Sequence, residues 1–308
     1  MSYAVLFPGQ GSQFVGMGAD LFDVRPDLLG DRADEVLGWS LRAMCLDGPE
    51  EVLTRTEHAQ PALYAVSFAL WDELAKAAPA PAAAAGHSLG EYTALAAAGA
   101  LDFFDGLALV AIRGAAMADA ADREPSGMAA LIGGDLDAAE SLAAARRDHG
   151  GRLWVANVNA PGQVVVAGGT EDIDWVLEHA REFGIRRAVV LKVAGAFHSP
   201  FMEPAATELG EALRRTDFGE SVFPVWANAT AMPHEVDCAT TLQDQLTGTV
   251  RFAESLVAMA AAGITRFVHV GPGDVTAGLA RRSVEATEPV VVSSRKDVDA
   301  AVAVLSAV

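Results

Sequence analysis

Ser88 lies in Gly86-His87-Ser88-Leu89-Gly90, a Gly-x-Ser-x-Gly pattern set between a short apolar piece, Ala82–Ala85, and a helix expected over Leu89–Ala98. Glycines on both sides permit a sharp turn that holds the serine oxygen away from its own backbone, the arrangement of a nucleophile elbow. The same turn puts the Leu89 N–H at a helix N-terminus, where it can stabilise a developing oxyanion. A serine nucleophile needs a base, and the chain has 7 histidines. His87 adjoins Ser88, but neighbours in such a turn point apart, so a structural role is expected. His149, His179 and His234 stand in polar or helical surroundings and are expected at the surface, while His58 and His269 suit a core. His198 differs. It follows the apolar run Val189–Val193 in a loop, Ala194-Gly195-Ala196-Phe197-His198-Ser199-Pro200, and spacing alone leaves it a candidate base. A second glycine-rich loop, Pro8–Gln13, is not a dinucleotide fingerprint, because Phe14 stands where a third glycine belongs. It carries no Walker lysine either, but a backbone N–H near Gln10 could be a second oxyanion donor.

These groups need a scaffold, and apolar patterning supplies one. Tyr3–Phe7 reads as a strand running into the Pro8 loop. A helix is predicted from Pro61 to Ala78, with Leu63, Val66, Leu70 and Leu74 on one face. Ala82–Ala85 is assigned as a strand from context, since alanine has little strand propensity. A helix over Asp105–Ala121 follows. Between Gly127 and Val193 the pattern reads strand (Met128–Ile132), helix (Asp135–Arg147), strand (Leu153–Val158), a turn at Asn159-Ala160-Pro161-Gly162, and strand (Gln163–Ala167). Helix (Glu171–Phe183, with Ile173, Val176 and Leu177 inward) and strand (Arg187–Val193) complete it. That β-α-β-β-α-β order is ferredoxin-like. A helix from Phe201, a strand at Val222–Ala227, a helix from Phe252, a strand at Arg266–Val270 and a helical C-terminus complete the reading. The expected fold class is α/β: an α/β-hydrolase-like large domain with a parallel sheet (1–126 and 194–308) and an inserted ferredoxin-like small subdomain (127–193).

Composition narrows the function. The chain has 308 residues, of which 51% are hydrophobic and 20% charged, enough to bury a sizeable core. A net charge of −19 argues against nucleic acid as a partner. Local basic clusters remain as candidate contacts for an anionic partner: Arg146/Arg147, Arg186/Arg187 with Lys192, Arg281/Arg282 and Arg295/Lys296. The longest apolar stretches, such as Ala77–Gly86 with Pro79 and Pro81 inside it, are too short to span a bilayer. The first residues lack the basic region of a signal peptide. Cys45 and Cys238 form no C-x-x-C pair and read as reduced thiols of a cytoplasmic protein.

Taken in order, several motifs carry a resemblance: Phe7-Pro8-Gly9-Gln10-Gly11-Ser12-Gln13, Gln60-Pro61-Ala62-Leu63, Gly86-His87-Ser88-Leu89-Gly90-Glu91-Tyr92 and Arg113-Gly114. They continue with Asn159-Ala160-Pro161-Gly162-Gln163, Gly195-Ala196-Phe197-His198-Ser199 and Val270-Gly271-Pro272-Gly273. From about Tyr3 to about Arg282 the chain resembles the malonyl-CoA:acyl-carrier-protein transacylases of fatty-acid synthesis and the related acyltransferases of polyketide synthesis, including discrete ones. The resemblance implies that Ser88 is acylated and that His198 is its base, oriented by the backbone carbonyl of Gln245 and not by a carboxylate. It implies an oxyanion hole from the N–H groups of Gln10 and Leu89, and Arg113 as partner of the malonyl carboxylate. Phe197, just before the histidine, would favour malonyl over a bulkier α-substituted donor. Malonyl-CoA and an acyl carrier protein are the implied partners, with the coenzyme A thioester as substrate and no bound cofactor or metal. Gly248-Thr249-Val250 stands where family members often carry Asn-Pro-Val. Other readings are an esterase or proofreading acyl hydrolase sharing Ser88 and His198, an acyltransferase for another acyl donor, and a carrier-binding scaffold. Arg113 separates the hydrolase, because uncharged acyl chains gain nothing from a buried cation.

Overall fold

The computed structural model describes residues 2–235 and 237–307. Along the chain the strands are β1 (Tyr3–Phe7), β2 (Ala83–Gly86), β3 (Ser126–Ile132), β4 (Leu153–Ala160), β5 (Gln163–Gly169), β6 (Arg187–Val190), β7 (Val225–Trp226), β8 (Arg266–Val270) and β9 (Val290–Val292). They form two sheets. One has the order β7-β2-β1-β8-β9 with every pair parallel. The other has the order β4-β5-β3-β6 with every pair antiparallel. The fold is mixed α/β around a parallel sheet.

The parallel sheet is covered on both faces, and its strands show why. In β1, Tyr3, Val5 and Phe7 join the larger core while Ala4 and Leu6 join a second core on the opposite face. The strand is buried throughout, so its sequence is apolar without alternation. β2 is Ala-Ala-Ala-Gly, fully buried. Its small side chains admit helices at close range on both sides, and that packing overrides poor strand propensity. The register pairs Phe7 with Gly86 and Leu6 with His269, so β1, β2 and β8 end together. Pro8, His87 and Gly271 therefore leave the sheet along one carboxyl edge, where open parallel sheets bind ligands.

Several elements differ from the sequence expectations. The helix expected from Pro61 runs from Thr56 to Ala75, with Pro61 inside it; the ring leaves no N–H to bond the Glu57 carbonyl, a loss confined to the second turn. The strand expected over Val222–Ala227 shrinks to Val225–Trp226, because Val222 projects into solvent. β6 stops at Val190, short of the expected Val193. In the helix Thr170–His179, Ile173 and Val176 are buried but Leu177 is exposed. A further 100° of rotation after Val176 carries it off the face that meets the sheet. Short helices between Pro26 and Leu53, and strand β9, had no counterpart in the sequence reading.

Candidate active site

The elbow is built by close backbone contacts. A Cβ at Gly86 would strike the backbone of Gly90, and a Cβ at Gly90 would strike the carbonyls of Phe7 and Pro8. Two glycines thus let the elbow fold on itself and lie against the Pro8–Gln13 loop. Ser88 adopts φ 52°, in the left-handed region. For a non-glycine residue this costs about 1–3 kcal/mol and persists only where surroundings hold it. Asn228 is one such holder: its Oδ1 accepts the Ser88 N–H at 2.7 Å, and its Nδ2 donates to the Gly86 carbonyl at 2.7 Å. Leu89 follows at the start of the helix Gly90–Ala97, where first-turn N–H groups have no carbonyl four residues back.

His198 reaches Ser88 from 110 residues further along the chain. Its loop is pinned where Gly195 packs on Ala121 and where the Ala196 N–H donates to Ser126 Oγ at 3.2 Å. His198 is itself left-handed, with φ 57°. Its Nδ1 lies 2.8 Å from the carbonyl of Gln245, which can only accept, so the proton sits on Nδ1 and Nε2 is free to accept. Nε2 lies 2.8 Å from Ser88 Oγ. Burial, helped by the Arg113 charge, pushes the imidazole down to about 3, so the ring is neutral near neutral pH.

Arg113 projects from the helix Phe103–Arg123, which approaches the helix Thr56–Ala75 closely because Gly114 faces the Thr56 carbonyl. Its side chain is 1% exposed. Nη1 donates to Gln60 Oε1 at 2.6 Å, and Nη2 donates to Gln245 Oε1 at 2.9 Å and Ser88 Oγ at 3.0 Å. Its partners are thus neutral, and among the described residues no carboxylate forms a direct ion pair with it. Burial works against its charge. The planar guanidinium held this way beside Ser88 Oγ has the fork geometry that matches a carboxylate.

The structure brings together Ser88, His198, Arg113, Gln10 and Phe197 around one cleft of about 440 Å³, and sets Gln245 beneath it. The antiparallel sheet supplies the facing wall through Met128, Asn157, Asn159 and Val165. His87 turns away from Ser88, as expected, and its Nε2 meets Asn159 Oδ1 at 2.7 Å, tying elbow to wall. The Gly248-Thr249-Val250 segment is held by the Thr249 hydroxyl, which donates to the Val155 carbonyl at 2.7 Å, and by the Val250 N–H on Ala156. Of the basic clusters, Arg146 pairs with Asp172 at 2.6 Å and Arg295 with Glu73 at 3.0 Å, which makes both structural, whereas Lys192 lines the cleft.

His234 departs from expectation. It is not a surface residue: its side chain is 2% exposed and its Nε2 lies 2.7 Å from Glu91 Oε1. The sequence reading also gave no role to Asn228, Glu91 or the side chains of Gln60 and Gln245. A signal existed for Asn228, a polar residue immediately after the apolar Val225-Trp226-Ala227 at the carboxyl edge of the sheet.

A serine hydrogen-bonded to a neutral imidazole, with a helix N-terminus and a buried cation beside it, can form and break an ester. This is the site of an acyl-transferring enzyme. The chain belongs to the acyl transferase family, whose "Acyl transferase domain" matches residues 5–307. It is 39% identical over 306 residues to the malonyl CoA-acyl carrier protein transacylase of Bacillus subtilis (strain 168), covering 98% of this chain and 96% of that protein. It is 41% identical over 289 residues to BaeC of Bacillus velezensis, a polyketide biosynthesis malonyl CoA-acyl carrier protein transacylase, covering 92% of this chain and 97% of that one. Among solved structures, the acyl-carrier-protein S-malonyltransferase of Bartonella henselae superposes with a TM-score of 0.93 at 36% identity, covering 99% of each chain.

Proposed function

We propose that the protein transfers a malonyl group from malonyl-CoA to the phosphopantetheine thiol of an acyl carrier protein through a Ser88 ester, for fatty-acid or polyketide synthesis. The observation that carries this reading is the buried Arg113, 3.0 Å from Ser88 Oγ and lacking a direct carboxylate partner among the described residues. A donor with a free carboxylate completes it. Such a charge-assisted contact contributes about 1.5–3 kcal/mol. The names of the relatives and a solved complex of a type II polyketide-synthase acyl-carrier protein with its malonyl-transacylase, similar to this chain at TM-score 0.93 and 35% identity, support the same partners.

Ser88 Oγ attacks the thioester carbonyl while His198 Nε2 takes its proton. The tetrahedral oxyanion is received by the N–H groups of Gln10 and Leu89. On collapse the C–S bond breaks, and His198 returns the proton to the coenzyme A sulfur. The carrier thiol then attacks the serine ester, with His198 again taking and returning one proton, and Ser88 is regenerated. General-base help contributes about 10²–10⁴-fold and each oxyanion donor about 10²–10³-fold. Gln245 acts through its carbonyl, which fixes the tautomer of His198. Coenzyme A enters as part of the substrate, and the chemistry calls for no bound cofactor or metal.

Phe197, 6% exposed on the cleft, is read as the selectivity residue, because its ring would crowd a substituent on the malonyl α-carbon. Phe197→Ser should raise the use of methylmalonyl-CoA relative to malonyl-CoA; an unchanged ratio would remove that assignment. The strand order and antiparallel pairing of β3–β6, with helices after β3 and β5, support reading 127–193 as a ferredoxin-like insert. The parallel sheet with its elbow supports an α/β-hydrolase-like domain from 1–126 and 194–308. The free, buried thiols of Cys45 and Cys238 fit a cytoplasmic setting; no helix among the described residues is long and apolar enough to cross a membrane.

The test compares malonyl transfer to holo carrier protein with release of free malonate from malonyl-CoA. Transfer that outruns hydrolysis when the carrier is present supports the reading. Hydrolysis that proceeds equally with and without carrier would instead mark an acyl hydrolase.

A further inference from the structure

Beneath the cleft lies a polar group that the transfer chemistry does not use. Glu91, in the first turn of the helix that follows the elbow, is wholly buried. Its Oε2 accepts the Asn228 N–H at 2.9 Å and Gln245 Nε2 at 2.7 Å, and its Oε1 lies 2.7 Å from His234 Nε2. A buried carboxyl group is tolerated only where its oxygens are hydrogen-bonded, and a charged one only where it is paired. His234 supplies the pair. Burial opposes charge on its ring, but the neighbouring Cys238 and Glu91 outweigh burial and raise it to about 10.

The groups that Glu91 grips are those that hold the reacting residues. Asn228 takes the Ser88 N–H through Oδ1. Gln245 donates to the Ser88 carbonyl at 3.0 Å, accepts Arg113 Nη2 through Oε1, and accepts His198 Nδ1 through its backbone carbonyl. Both backbone groups of Ser88, the tautomer of His198 and one arm of Arg113 therefore depend on two residues fixed by one carboxylate. Neither Glu91 nor His234 lines the cleft.

We propose that Glu91 is the positioning residue of this active site and that protonated His234 is its buried counter-ion. The pair touches no substrate. It sets the geometry of Ser88, His198 and Arg113 through Asn228 and Gln245, and so acts on the rate of acylation. Arg113 keeps its separate bond to Gln60, so substrate affinity is largely spared.

The inference rests on Ser88 being the acylated group, and the experiment separates the two. Single-turnover malonylation of Ser88 is followed by intact-protein mass in the full-length chain, in Glu91→Gln, in His234→Gln and in the double variant. Steady-state kinetics give kcat and KM for malonyl-CoA. In Glu91→Gln an NH₂ group faces existing donors, and acylation should slow by about 10²-fold, the scale of an ångström-sized misplacement. The loss should fall on kcat, with KM little changed. His234→Gln keeps an N–H donor without the charge and should lose less. The double variant should be no slower than Glu91→Gln alone, because the residues act as one unit. The ring nitrogens of His234, read by ¹⁵N NMR at pH 8, should report an imidazolium in the wild type. Wild-type acylation rates in both single variants would overturn the proposal, as would losses that multiply in the double variant or a neutral His234 in the wild type. Should Glu91→Gln fail to fold, the ring state of the wild type decides. A wild type that takes up no malonyl would instead refute the Ser88 assignment.

Discussion

An imidazole whose Nδ1–H is committed to a carbonyl has one nitrogen left for chemistry. In His198 that nitrogen faces Ser88 Oγ at 2.8 Å, and burial keeps it neutral. The pH consequence follows from the sign of the shift. With a folded value of about 3 against an ordinary 6.5, His198 stays unprotonated as pH falls through 6.5. The log of kcat/KM should therefore show no inflection near 6.5 and should fall only at markedly lower pH. A rate–pH profile from pH 5 to 8 checks this. The same shift costs stability in acid: between 6.5 and about 3 the unfolded chain takes up the proton more readily than the folded one, so this contribution, full above 6.5, declines as pH falls. Arg113→Ala should lower kcat/KM for malonyl-CoA by roughly 10- to 10²-fold, the equivalent of about 1.5–3 kcal/mol. It should do far less to acetyl-CoA, and competition between the two donors measures the difference. Ser88 stood out by its flanking glycines, its loop left His198 a candidate, and the two meet at 2.8 Å. Glu91 and Gln60 did not stand out, because they act through contacts spanning as many as 154 positions, which no local pattern encodes.

The elements explain why those contacts form. β1 and β2 end in register, and their loops are pressed together at Gly90, where any side chain would meet the carbonyls of Phe7 and Pro8. Those atoms are backbone and cannot rotate away. Gly90→Ala should therefore destabilise the fold by about 1–3 kcal/mol and displace the elbow from the Gln10 loop. Urea unfolding gives the stability loss and single-turnover acylation the displacement. Strands with dense β-branched or aromatic residues, such as Arg266-Phe267-Val268-His269-Val270, could be read directly. β2 could be placed only because a motif followed it. β7 was placed inside a longer expected strand, β9 has three residues, too few to show a period, and the short helices between Pro26 and Leu53 likewise give periodicity little length to act on.

At the scale of the whole molecule, the carboxyl edge of a parallel sheet faces an antiparallel sheet across one cleft. Ser88, His198 and Arg113 come from the side of the parallel sheet, and Met128, Asn157, Asn159 and Val165 close the opposite side. His87 ties the two sides together through Asn159. Such a wall favours a thiol delivered on a long arm over bulk water, which suits transfer over hydrolysis. The net charge of −19 was legible at once and argued against nucleic acid; the wall of the cleft was not, because it joins residues from strands of a separate sheet.

The most direct measurement is the intact mass of the protein after brief incubation with malonyl-CoA, followed by addition of holo acyl carrier protein. The wild type should gain one malonyl group, localised to Ser88 by peptide mapping, and lose it to the carrier thiol. Ser88→Ala should gain none. A malonyl adduct of equal yield on Ser88→Ala, or a carrier loaded at the wild-type rate by that variant, would contradict the account.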